Sequence, residues 1–253
     1  MKLILSILLL LLAANSFGQN LEPYNAEFKF QVVTGNNALR ADSTVEAIII
    51  VCDSVSIKNA YHSVEENLQI KELKLINPDQ MLINEFASLE LKNLHYLFID
   101  AYRHESLQIS KFPNVEVFSV TSERLEKLDM VGAQFQKLAV LGVHAVELRE
   151  WTSDSALPSL ELLDIMAPHL DSLPILLMPQ LYEFVFFCSF TSMPKDLCKY
   201  EELSLMSFNN FTAIPVDDCI IEKIKSGVYS NLTVFESISG KELLKVVSND
   251  RKE

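Results

Sequence analysis

Residues 157–174 read LPSLELLDIMAPHLDSLP, and their apolar spacing decides the fold class. Leu160, Leu163, Ile165, Leu170 and Leu173 carry the pattern, with Pro168 inside it and Pro174 closing it. Leu163 and Ile165 are two apart, so both point to one face of a short strand. The later apolar positions turn the chain back over that face.

Working outward, the same spacing recurs. Leu138, Leu141, Val143, Val146, Leu148 and Trp151 repeat it upstream, and Val115, Phe118, Val120, Glu123, Leu125 and Leu128 come before that. The second apolar position serves as a marker. It falls at Leu73, Leu97, Phe118, Leu141, Leu163, Phe184 and Leu203, with separations of 24, 21, 23, 22, 21 and 19 residues. A first copy starts at Ile48, Ile50 and Val55, and a last one at Ile221 and Ile224. Prolines check the register independently. Pro113, Pro158 and Pro179 precede the first apolar position by two, Pro174, Pro194 and Pro215 follow the last, and Pro78 and Pro168 share a third. Eight of the nine prolines thus occupy three positions of one period, which an accidental leucine-rich composition does not produce.

The stretches LPSLELLDIMAPHLDSLP, MPQLYEFVFFCSFTSMP and YEELSLMSFNNFTAIP resemble the leucine-rich repeat family. The resemblance runs from Glu46 to Ile224, roughly three quarters of the chain after residue 18. It implies an α/β-type solenoid: a curved parallel β-sheet on the concave face, an irregular convex side, and caps at both ends. One copy buries five or six apolar side chains at about 1.5–3 kcal/mol each. Ordering its residues costs on the order of 1–2 kcal/mol apiece for the backbone alone. A lone copy therefore does not fold, and only stacked neighbours do. The sequence departs from the family where Asn usually bonds the neighbouring coil. Pro78, Tyr102, Glu123, Val146, Pro168, Ser189 and Phe208 stand there, so irregular turns are expected. Asn209 restores the Asn once, with a slip of one residue.

The flanks read differently. Residues 1–18, MKLILSILLLLLAANSFG, have a positive start, a short apolar stretch and small residues at Ser16 and Gly18. This predicts a signal peptide cleaved after Gly18, export to the periplasm or exterior, and no membrane insertion afterwards. Its Ser-Phe-Gly-Gln ending is similar to those of exported proteins of Bacteroidetes-type bacteria. Residues 19–45 hold an alternating stretch, Ala26, Phe28, Phe30, Val32, then a Gly35 turn, which predicts an N-terminal strand or hairpin cap. The solenoid spans 46–224, about seven or eight copies. Residues 225–253 are a cap, a strand from Leu232 and a short helix from Lys241, ending in a polar tail.

Composition narrows the function. The chain has 253 residues, 49% hydrophobic, and a net charge of −13. That charge excludes nucleic acid and anionic membranes as partners, since both need clustered Lys and Arg. Only six glycines occur, and no Gly-rich phosphate loop is among them. The histidines, His62, His95, His104, His144 and His169, show no metal-ligand spacing, and no nucleophile motif is present. No catalytic residue, metal ligand or cofactor is assigned. Cys198 and Cys219 occupy equivalent positions in adjacent copies of the resembled repeat, each five residues before its marker, which predicts a disulfide in an exported chain. Cys52 and Cys188 are expected to be buried singly.

The outward positions of the strands carry the functional expectation. An ordinary solvated face is polar, yet Val117, Val140, Leu162, Met166, Val185, Phe187 and Met206 form an apolar tract there. Such tracts mark interaction surfaces. The expectation is an exported, non-enzymatic module that binds a protein or peptide on its concave face, with the C-terminal segment or self-association as other ways of covering it. The alternatives are an enzyme, or enzyme accessory, scaffolded on the solenoid, and a structural envelope component.

Overall fold

In a computed structural model, the protein is described over residues 29–35, 42, 44–109, 111–154, 156–174, 176–188, 205–208, 222 and 233–234. The signal segment, the cysteines at 198 and 219, the expected marker at Leu203, Asn209 and the expected C-terminal helix lie outside these residues. So does most of the expected C-terminal cap.

Ten strands form the main sheet: β1 (Phe30–Val33), β2 (Ala47–Val51), β3 (Glu72–Ile76), β4 (Tyr96–Asp100), β6 (Val117–Ser122), β8 (Val140–Ala145), β10 (Leu162–Ala167), β11 (Glu183–Cys188), β12 (Leu205–Phe208) and β13 (Thr233–Val234). They lie side by side in chain order, and every pairing is parallel. Between β4 and β10 the returning chain adds three short strands, β5 (Ser106–Gln108), β7 (Lys127–Met130) and β9 (Glu150–Ser153), which pair in parallel as a second sheet. Earlier returns are helical: α1 (Ile57–Glu65) and α2 (Gln80–Ser88). The fold is therefore of α/β type, mostly parallel strands with few helices.

Local sequence explains each element. Ser56 caps α1 by accepting from the Asn59 amide, and Ala60 and Val64, four apart, bury one face of it. Asp79 caps α2, which buries Leu82, Ile83 and Phe86. Strands β3, β4 and β6 alternate half-buried and buried residues, as a half-covered sheet requires. Their buried positions are the marker residues and their partners two further on. Leu73, Leu97, Phe118, Leu141, Leu163 and Phe184 stand directly opposite one another, and Ile48 extends the row at its start. The core lies between this inner face and the helices or second sheet. Leu107, Leu128 and Trp151 line up beneath it from the second sheet, and Phe118 stacks on Phe135 at 5.5 Å.

Two expectations need correction. The row does not continue through Leu203. The register sets Met206 opposite Phe184 and Phe208 opposite Phe186. Met206 and Phe208 offer the same two-residue apolar spacing as Leu203 and Leu205, and they keep the separation at 22 rather than 19. Of the expected N-terminal strand or hairpin, the described residues hold a strand, β1, which runs parallel to β2. The returns are also more regular than the lost Asn ladder suggested. Lys-Leu-Asp-Met and Glu-Trp-Thr-Ser alternate well enough to pair as β7 and β9.

Small and polar residues close the strand ends, one position before the places where the sequence pattern looked for Asn. The buried strand-end row reads Ala101, Ser122, Ala145, Ala167 and Cys188, all small. Ser122 Oγ donates to the Ala101 carbonyl at 2.7 Å and accepts from the Arg124 and Leu125 amides. Asn77, at the same place after β3, donates to Asp53 Oδ2 at 2.8 Å and adopts a left-handed φ of 50°.

Candidate functional site

The outward face of the main sheet carries three rows of side chains, set by strand register. The first reads Glu72, Tyr96, Val117, Val140, Leu162, Glu183. The second reads Lys74, Phe98, Ser119, Gly142, Asp164, Val185, and the third Ile76, Asp100, Thr121, His144, Met166, Phe187.

Val117, Val140, Met166 and Val185 are half-buried; Val117 stands opposite Val140, and Val185 lies diagonal to Met166 on the next strand. Leu162 shares the face but keeps only 3% of its surface, so it contributes packing rather than contact area. Phe187 is in register with Met166, and its side chain is outside the described residues. Met206 is in register with Phe184, and its side chain is outside the described residues.

The apolar surface extends further than the sequence reading placed it. Tyr96 and Phe98 add aromatic area from β4, and Phe30 and Val32 stand 63% and 51% exposed at the sheet edge. The alternation of Phe30 and Val32 was visible in the sequence, but which face they took depended on the parallel pairing with Ala47 and Ile49.

Charges interrupt the rows at defined places. Lys74 Nζ sits 2.8 Å from Asp100 Oδ2. His144 Nε2 lies 2.9 Å from Asp164 Oδ2, a diagonal contact between β8 and β10. Glu183 is 6% exposed, and its backbone amide donates to the Glu161 carbonyl at 2.8 Å. Burial pushes its carboxyl above the usual range, and neighbouring Asp164 adds to the shift. Burial also raises Glu72, with Lys74 offsetting part of it. Sequence reasoning saw only scattered histidines and carboxylates here, because the pairing crosses strands some twenty residues apart.

The middle of the face is low. Ser119 and Gly142 are adjacent in the second row, between Val117 and Val140 on one side and Thr121 and His144 on the other. A Cβ at Gly142 would sit 3.1 Å from Ser119 Oγ, so small side chains are needed on this floor.

Two cavities lie off this face. One of about 400 Å³ is lined by Cys52, Asp53, Asn77, Asp79 and Arg103. Arg103 pairs with Asp53 at 2.9 Å, and burial pushes the Cys52 thiol up to about 12, which leaves it unreactive. The other, about 530 Å³, lies between Leu91, Leu94, Phe112 and Val115. Among the described residues, no group of three or more His, Cys, Asp or Glu side chains is placed to hold a metal ion. Among them, too, no helix is long and apolar enough to cross a membrane. Neither ring nitrogen of His144 bonds a hydroxyl among the described residues.

The fold defines a class: an α/β protein of in-order parallel strands with few helices, whose outward sheet face has no helix packed on it among the described residues. Comparisons with protein-family models, curated proteins and solved structures find no match to the chain.

Proposed function

We propose that this chain is an exported solenoid of the leucine-rich-repeat kind that binds a protein or peptide partner on its concave sheet face. One observation carries the reading. Parallel sheets are normally covered on both faces. Here the inner face is packed, while the outer one presents half-buried Val117, Val140, Met166 and Val185 beside Tyr96 and Phe98. Apolar area with interspersed charges, on a rigid in-register frame, has the composition of a recognition surface. The reading assigns no catalytic residue.

Two experiments test it. Edman sequencing of the protein from its source checks export, and the expected mature start is Gln19. Capture from the source's own envelope fraction, by wild type against Val140→Asp and Met166→Asp, checks the face. Partners that both variants lose support the reading. Partners retained equally by both would remove the face from it.

A further inference from the structure

We infer that the first strand of the main sheet is a docking edge for a second copy of this chain, with the two β1 strands pairing antiparallel across a two-fold axis at Gln31. The pairing is separate from the partner read onto the sheet face.

β1 (Phe30–Val33) comes first in the sheet order, so one of its sides has no strand beside it among the described residues. On its other side the Ala47 amide donates to the Lys29 carbonyl at 3.4 Å, in the register that sets Phe30 opposite Ala47. Backbone groups alternate in direction along a strand. Lys29 and Gln31 therefore turn theirs toward β2. Phe30 and Val32 turn both N–H and C=O toward the free edge. The side chains of the same two residues stand 63% and 51% exposed, while Val33 is buried in the core.

Proteins blunt such edges with proline, charge or a covering group. The second sheet has such a cover: the Gln80 side-chain amide takes both backbone groups of Gln108 on β5, at 2.8 and 2.9 Å. Within β1, Phe-Gln-Val-Val, there is no proline and no charged residue. The flanking Lys29 is held by Asp42 at 3.4 Å and by Thr44.

The edge is self-complementary, which selects a second copy over an unrelated strand. With the axis at Gln31, Phe30 of each copy stands opposite Val32 of the other. Both pairs are of the kind that exchanges two N–H···O bonds, because both residues turn their backbone groups outward. Each pair also sets an aromatic ring against a β-branched side chain on one face, a favourable cross-strand combination. The net charge of −13 opposes the approach of a second copy, so the pairing should tighten as salt rises.

Sedimentation velocity of the mature chain at roughly 1 to 100 μM tests this, over the affinity range open to a small interface. A monomer–dimer equilibrium is expected. Val32→Pro removes an N–H that points away from β2. It should lower the association constant at least about tenfold while the circular dichroism spectrum stays that of wild type. Phe30→Lys with Val32→Lys sets like charges opposite each other and should leave only monomer. Phe30→Lys with Val32→Asp sets opposite charges against each other in both pairs and should restore the dimer. If Val32→Pro alters the spectrum, the two charge variants decide alone. A wild-type chain that stays monomeric throughout would overturn the proposal, as would a dimer that survives Phe30→Lys with Val32→Lys. Equal loss of the dimer in the two charge variants would overturn the axis at Gln31.

Discussion

Ser122 Oγ donates to the carbonyl oxygen of Ala101, 2.7 Å away on the preceding strand segment. The same hydroxyl accepts from the amides of Arg124 and Leu125, so one buried side chain joins two successive turns. Ser122→Ala leaves those buried groups without their partner. The expected loss is about 1–3 kcal/mol, the cost of an orphaned buried polar group, read as a lowered urea midpoint with unchanged slope.

Gly132 adopts φ 74°, and a Cβ added there meets nothing within 4 Å. The penalty of Gly132→Ala is thus conformational alone. About 1 kcal/mol of destabilisation is expected by thermal or chemical unfolding, and no loss would mean the turn rearranges freely.

Glu183 titrates with a raised folded pKa, from burial first and Asp164 second. Between the pKa of the unfolded chain and this raised value, the native state binds more protons. The group's contribution to stability is therefore greatest below the unfolded pKa and falls as pH rises through the folded one. Glu183→Gln carries no such dependence. Relative to wild type, the variant should gain stability as pH rises from the carboxylate range toward neutrality. A stability difference flat with pH would contradict this.

Cys52 and Cys188 form no disulfide among the described residues, while the expected Cys198–Cys219 bridge lies outside them. Titration of the denatured protein without reductant should find two thiols. Four would rule out the bridge, which by loop closure is worth about 3 kcal/mol.

The ladder of buried strand residues was legible in the sequence, because alternation and period are properties of single residues. Leu73 through Phe184 fell in register as the spacing implied. The pattern misled at Leu203, where two overlapping apolar pairs satisfied it equally and only strand pairing chose Met206 and Phe208. It missed the strand-end bonds because a serine and an asparagine make them one residue early, at Ser122 and Asn77. At the candidate site, outward rows could be written down from the spacing, but burial could not. Leu162 and Val140 occupy equivalent positions, and only the folded chain shows Leu162 covered. The His144–Asp164 contact was invisible for a related reason: it joins neighbours in different rows.

The most direct measurement is partner affinity compared across two sets of equally drastic changes. Val140→Asp and Met166→Asp alter the open sheet face. Val131→Asp and Leu177→Asp alter apolar side chains that are 49% and 64% exposed elsewhere on the chain. With the partner captured by wild type, the account predicts at least about a tenfold loss for the first pair and wild-type affinity for the second, since burying a charge in an apolar contact costs well over 1.4 kcal/mol. Binding that survives both face substitutions and fails with Val131→Asp or Leu177→Asp would contradict it.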